Sequence, residues 1–443
     1  MEKTKNKNLK KFTSLILSTN IPKVALTLGL VGSLITTMVG LTIPLLTQQL
    51  VDGFSMESLS VGLIVAIAAV FIVQAVIDGL STYSLAYVGQ SIVAGLRERI
   101  WFNLIRLPVI YFDKKTSGES VSRVVNDTGI VKDLISKHFP QFITGIITII
   151  GAVTILFIMD WKMTLLMLIS VPVTTLVMIP LGTKMAKISR GMQDETANFT
   201  GSVQQTLSEI RLMKASNAEN AEEAKGQLGI RTLLTFGLRE ARIFAIIGPL
   251  MYMVVMLVIV VIIGYGGIRV AEGTMTTGAL VAFLLYLFQI IFPITSFTMF
   301  FTQLQKAKGA TERIIDILEI EDEPGQDGLA ADITNQPVFV KGLSFGYNED
   351  EPILRNVSFD VEPGMMVAFA GPSGGGKSTL FGLLERFYEP TDGEIYVGAL
   401  PIRSLSMKSW RQQIGYVSQD SPMMAGTIRD NLTYGLENKD SLT

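Results

Sequence analysis

Gly371-Pro372-Ser373-Gly374-Gly375-Gly376-Lys377-Ser378-Thr379 decides how this 443-residue chain is read. It fits the pattern G-x-x-x-x-G-K-[ST], and so do its flanks. Residues 367–370, Val-Ala-Phe-Ala, read as a short buried strand, and residues 380–387, Leu-Phe-Gly-Leu-Leu-Glu-Arg-Phe, as a helix. Glycines let backbone N–H groups curl around phosphate oxygens with no Cβ in the way. The first turn of the following helix offers the same anion its unpaired N–H groups and a positive dipole end. Residues Gly371 to Thr379 are therefore expected to cradle a nucleoside triphosphate. Lys377 would reach the β- and γ-phosphates, and the Ser378 hydroxyl would help to hold Mg²⁺. A flexible glycine loop beside a surface lysine would show neither flank.

Composition places that loop near a lipid bilayer. Hydrophobic residues make up 49% and charged residues 17% of the chain, and mean hydropathy is +0.43. This is too apolar for an ordinary water-soluble protein. The formal net charge of −2 gives no nucleic-acid footprint. The absence of cysteine excludes disulfides and thiolate metal sites, and a single histidine, His138, leaves no histidine cluster.

Six uncharged runs precede the loop: 24–51, 61–77, 139–159, 163–183, 243–268 and 273–305. Crossing a bilayer takes about 20 apolar residues. The second run is short, but beyond Asp78 the chain stays uncharged to Leu96, so that span extends to about residue 80. Lysines at 3, 5, 7, 10, 11 and 23 precede the first run, and the 28 uncharged residues after them are too long for a signal peptide. Outside the spans, 23 Lys and Arg fall in the amino-terminal segment and in residues 78–138 and 184–242, whereas the alternate connections hold only Lys162 and Arg269. Positive charge marks the cytoplasmic face, so both termini and both long connections are expected there.

The long connections read as helical arms. Ile92, Leu96, Ile100 and Leu104 recur every fourth residue until Pro108 stops the pattern. Thr116 and Glu119 are spaced as a capping box, and residues 208–215 look like a short helix between longer ones. Within the spans, Gln74, Asp78, Tyr286 and Gln289 stand out; each either faces a pathway or bonds to a neighbouring helix. Pro180 and Pro293 suit helices that bend. A helix continues from the last span through residues 306–319, the acidic, Gly/Pro-containing stretch 321–335 reads as a linker, and from 336 the texture becomes soluble α/β, with Val357, Phe359 and Val361 alternating as in a half-buried strand.

These residues resemble the half-size exporters among the ATP-binding-cassette (ABC) transporters, over essentially the whole chain. Tyr347, 24 residues before Gly371, stands where that family places an aromatic that stacks on adenine. Gln419, in Ile414-Gly-Tyr-Val-Ser-Gln419, matches the glutamine that reaches Mg²⁺ and the attacking water. Tyr111-Phe-Asp, Ser117-Gly-Glu and Arg123 look like the first cytoplasmic arm, and Glu209-Ile-Arg with Lys214-Ala like the second; Met423-Met424 departs from the common Leu-Phe.

The resemblance implies a membrane α-helical fold: a six-helix exporter transmembrane domain over 1–320, a linker, and the first part of a P-loop α/β nucleotide-binding domain over 336–443. It implies a multi-pass plasma-membrane transport ATPase using ATP and Mg²⁺, with Lys377 and Gln419 catalytic. The family's L-S-G-G-Q loop, the strand ending Asp-Glu and a histidine after His138 do not occur in these residues. The chain is therefore expected to be cut short within that domain and to hydrolyse ATP poorly alone. The implied partners are a second half-transporter chain, as a homodimer, with membrane lipids and small hydrophobic substrates, and no nucleic acid. Export of hydrophobic or amphipathic drugs is the leading expectation, a lipid flippase or a non-hydrolytic ATP-binding membrane module the alternatives.

Overall fold

A computed structural model describes residues 15–16, 19–53, 61–115, 117–325, 328–348, 351–419 and 421–436. Lys3, Lys5, Lys7, Lys10, Lys11 and Thr116, the first member of the expected capping box, lie outside them. Among the described residues, six helices are long and apolar enough to cross a membrane. They are α1 (Lys23–Asp52), α2 (Val61–Leu104), α3 (Phe139–Met159), α4 (Trp161–Ser208), α5 (Glu219–Ala271) and α6 (Thr277–Leu318). α2, with 44 residues, is about 66 Å long, twice the roughly 30 Å of hydrocarbon in a bilayer. It continues to Leu104 because Ile92, Leu96, Ile100 and Leu104 form one stripe, and all four are buried. The chain folds as two compact units, one drawn from Met1–Ala94 with Gly129–Gly309, the other from Gly95–Thr128 with Ala310–Thr443.

In the first unit, the membrane helices are joined by small residues and by polar clips. Ser81 donates to the Gly29 carbonyl (2.5 Å) and meets Ser33 (2.7 Å), so α1 and α2 approach closely there. A Cβ on Gly29 would come within 2.7 Å of Leu85. Asp160 caps α4 by accepting from the Met163 N–H at 3.0 Å and pairs with Arg269 at the end of α5 at 2.7 Å. α4 and α5 then run side by side, with Gly191 against Phe236 and Gly229 against Phe199. The short helix Ile210–Ala215 joins them, as the sequence suggested.

α1 and α6 are fastened at three heights, and Pro44 explains one of them. Proline has no N–H, so Pro44 leaves the Gly40 carbonyl, four residues back, without its helical partner. Gln289 supplies it, donating to Gly40 O at 2.9 Å, while the Tyr286 hydroxyl donates to Leu41 O at 2.5 Å. At the helix ends, the Asp52 carboxylate accepts from the Gly278 N–H (2.7 Å) and the Thr276 hydroxyl (2.8 Å). Only glycine fits at 278, since a Cβ would collide with the Gln48 carbonyl. Tyr286 and Gln289 are therefore helix-to-helix bonds. Around them Leu41, Leu156, Met163, Ile262, Phe283 and Leu287 form the buried core.

The second unit contains a four-stranded antiparallel sheet of order β2-β1-β3-β4, with β1 Val338–Phe345, β2 Leu354–Val361, β3 Asp392–Val397 and β4 Leu400–Pro401. β2 shows the expected alternation, with Val357, Phe359 and Val361 half-buried between exposed neighbours. Val340, Leu343, Phe345, Ile395 and Val397 pack on Leu380 and Leu383 of helix α7 (Lys377–Leu384). The strand expected at 367–370 is not formed: no described strand pairs with it, and Val367 is exposed. Residues 414–418, before Gln419, are likewise unpaired, with Val417 89% exposed. A strand exists only beside a neighbour about 4.8 Å away. The stretch that reads as a linker is bonded to its surroundings: Leu329 N–H donates to Ser404 O, and Ser406 N–H to Leu329 O.

The α1–α6 clip is testable by a pair of substitutions. Gln289→Leu strands the carbonyl that Pro44 frees and lowers stability by about 1–3 kcal/mol. Adding Pro44→Ala restores an N–H for Gly40 O and recovers part of that loss, as read from thermal unfolding in detergent micelles.

Candidate functional site

The phosphate loop is built around two left-handed glycines. Gly374 and Gly376 both have φ of +81°, a region costly for any residue with a Cβ. At Gly376 a Cβ would also lie 2.7 Å from Leu354 Cδ2 of β2, so the loop sits directly on the sheet. Gly376 is the N-cap of α7, and no side chain caps that end. The first-turn N–H groups of α7 therefore keep their capacity for an anion. Lys377 Nζ bends back over the loop and donates to the Gly371 and Pro372 carbonyls at 2.9 and 2.7 Å. Ser373, Gly374 and Gly375 are exposed along the loop, as is Ser378 on the first helical turn, whereas Thr379 is buried.

The far end of α7 is anchored with care. Trp410 Nε1 donates to Leu384 O (2.8 Å), Arg411 Nε to Glu385 O (3.1 Å) and Arg411 Nη2 to Arg386 O (3.0 Å). These satisfy carbonyls that a helix end leaves orphaned, and they place positive charge at its negative pole. Arg411 is itself held by a two-pronged pair with Glu323 (2.7 and 3.0 Å). Arg386, with φ of +55°, is buried and donates to Ile402 O and Leu405 O. Burial pushes the Glu385 carboxyl above its usual range, with the Arg411 charge pulling the other way.

Tyr347 lies beside the loop. Its hydroxyl lies 3.3 Å from Thr379 Oγ1, and its ring packs edge-on against Phe345 and Tyr388. Gln419 is not brought there: it is exposed and makes no hydrogen bond among the described residues. Sequence reasoning missed Tyr388, whose hydroxyl donates to Asp113 Oδ2 at 2.7 Å. Burial, then that bond, push the Tyr388 phenol far above its ordinary value. The same unit ties residues 95–128 to residues 310–443 at further places. Glu323 N–H donates to Arg106 O at 2.8 Å, and Asp127 accepts two bonds from Arg313 at 2.6 and 2.9 Å. Arg123, matched to the first arm, is buried, paired with Glu119 and bonded to Arg313 O. No local pattern signals these links, because each joins residues far apart in the chain.

Six membrane helices ahead of a phosphate-loop domain define a nucleotide-driven membrane transporter. The model of the ABC transporter transmembrane region matches residues 26–294, and that described as ABC transporter matches residues 354–442. A "Multidrug resistance ABC transporter ATP-binding and permease protein" of Lactococcus lactis subsp. lactis is 40% identical over 430 residues, 97% of this chain and 73% of that protein. An "ATP-dependent lipid A-core flippase" of Syntrophus aciditrophicus is 29% identical over 372 residues, 84% of this chain and 62% of that protein. The chain belongs to the ABC transporters, with a membrane region followed by an ATP-binding region.

Gly376→Ala tests the loop geometry. The left-handed backbone and the collision with Leu354 predict loss of ATP-analogue binding and a cost of about 1–2 kcal/mol in stability. Binding read by fluorescence and unfolding read by calorimetry check the two parts separately.

Proposed function

We propose that the chain is one half of a dimeric exporter that moves hydrophobic or amphipathic compounds across the plasma membrane, with both termini and both helical arms in the cytoplasm. The juxtaposition of Tyr347 with Thr379, beside a loop of two left-handed glycines, supports this reading most directly. The adenine would stack on Tyr347, the loop amides and Lys377 would hold the phosphates, and Gln419 would approach the nucleotide when the domain closes on it. Among the described residues no group of three His, Cys, Asp or Glu could hold a metal. Mg²⁺ would be held by Ser378 and Gln419 together with the nucleotide's own oxygens, where it neutralises phosphate charge.

Movement follows from binding contacts. A nucleotide shared between two copies favours their closed arrangement, and hydrolysis removes the bridging charge. Tyr388 connects the two ends of this process within one unit. Its ring touches Tyr347, and its hydroxyl holds Asp113 in the first arm. A shift of Tyr347 towards adenine changes the packing of Tyr388 and so the hold on the arm. The resemblance to a flippase keeps lipid as the second reading for the cargo.

Lys377→Ala should abolish ATP-dependent transport of amphipathic dyes into inverted vesicles; transport at the wild-type rate would sink the proposal. ATPase stimulation by lipid compared with drug separates the two cargoes. Tyr388→Phe keeps the rings packed but drops the bond to Asp113. It should leave ATP affinity unchanged and reduce substrate-stimulated ATPase by up to about tenfold, the scale of a charged hydrogen bond.

A further inference from the structure

Beyond their apolar spans α4 and α5 continue as an antiparallel pair, and two contacts fix their relative height. Gly191 of α4 meets Phe236 of α5, and farther along Phe199 meets Gly229. Lys184, Lys187 and Arg190 therefore stand level with Arg239 and Arg242. Lys184 is the first charge after the run 163–183, and Arg242 the last before the run 243–268. The five cations form a collar within about 10 Å of helix, at the edge of the hydrocarbon. All five are exposed.

Nothing among the described residues neutralises this collar. None of the five makes an ion pair there, and Arg239 lies only over the Phe236 ring, 5.5 Å from its centre. The acid within the same stretches is Glu240, half-buried, while Asp194 and Glu195 follow a turn farther from the span. Elsewhere the same two helices match their charges. At the tip of the arm Lys214 pairs with Glu219 at 2.9 Å and Lys225 with Glu222 at 3.9 Å, and at the opposite edge of the spans Arg269 pairs with Asp160 at 2.7 Å. On the span side of the collar, Leu176, Ile179, Phe244 and Ile246 are exposed. An apolar surface that ends in unmatched cations fits a molecule with acyl chains and an anionic head. Long basic side chains lay their methylenes against hydrocarbon and carry the charge to head-group level. Their attraction to an anionic surface acts within a Debye length, about 8 Å at physiological salt.

We propose that the collar is a docking surface for anionic phospholipids, whose phosphate head groups are held by these five side chains while the acyl chains lie along the adjoining ends of the α4 and α5 spans. The occupant is a lipid of the surrounding bilayer, not the exported compound. The proposal rests on the export reading only for the leaflet concerned, the cytoplasmic one.

The test is lipid binding to the purified transporter in dodecyl maltoside micelles without nucleotide, with bound lipids counted by native mass spectrometry. The wild type should bind phosphatidylglycerol about tenfold more tightly than phosphatidylcholine, and the preference should shrink as salt rises. Lys187→Gln/Arg190→Gln/Arg239→Gln should weaken phosphatidylglycerol by about fivefold for each charge removed and leave phosphatidylcholine unchanged. Lys187→Arg/Arg190→Lys/Arg239→Lys should keep the preference. Glycerol phosphate, a head group without chains, should not compete. An unchanged preference in the glutamine variant overturns the proposal, and so does equal loss of both lipids in both variants, which would make these side chains structural. Competition by glycerol phosphate overturns it in favour of a free-phosphate site. Loss of the dimer mass in the glutamine variant overturns it by giving the collar to a second copy of the chain. No ATP or transport is involved, so failure here is distinct from failure of the Lys377→Ala test.

Discussion

Hydrocarbon offers no water to a backbone carbonyl, so any acceptor that a membrane helix releases must find a donor inside the protein. Pro44 releases one in α1, and the structure answers with Gln289 of α6. Much else follows from that requirement. α1 and α6 are the first and last spans in the chain, and fastening them through Gly40, Leu41 and Asp52 brings the ends of the membrane region together. The tight fit at Gly278 and the core around Phe283 and Leu287 lie along the same seam.

The nucleotide-binding region obeys a related rule in water. A glycine-rich turn can present its N–H groups to phosphate only if the helix behind it is fixed, since a loose helix would carry the anion site with it. α7 has eight residues, too few to hold itself. Its carboxyl end is instead bound by Trp410 and Arg411, and Arg411 is held by Glu323. The acidic stretch that reads as a linker thereby supports the loop that reads as the site.

What the sequence made legible was local or periodic. The phosphate loop is contiguous, each span is an uninterrupted apolar run, and the fourfold spacing from Ile92 to Leu104 carried α2 well beyond the bilayer. Gln74, Tyr286 and Gln289 were ambiguous because their partners are backbone atoms on another helix, and for Gln289 the cause is a proline 245 residues earlier. The residues around 367–370 and 414–418 have the composition of strands, yet composition cannot supply the neighbour that pairing needs. Tyr347 was singled out only through its family position, and its hydroxyl lies 3.3 Å from Thr379 Oγ1. Tyr388 had no such cue.

The bond from Tyr388 to Asp113 joins positions 275 residues apart. The membrane region and the ATP-binding region are consequently not freely interchangeable modules. A chimera that took its carboxyl-terminal half from a relative would need a phenol at one position and an acid at the other from compatible parents. Otherwise each half could fold as before and still be deaf to the other. On the coupling proposed for Tyr388, recombination between such genes would succeed best when both ends of the bond travel together.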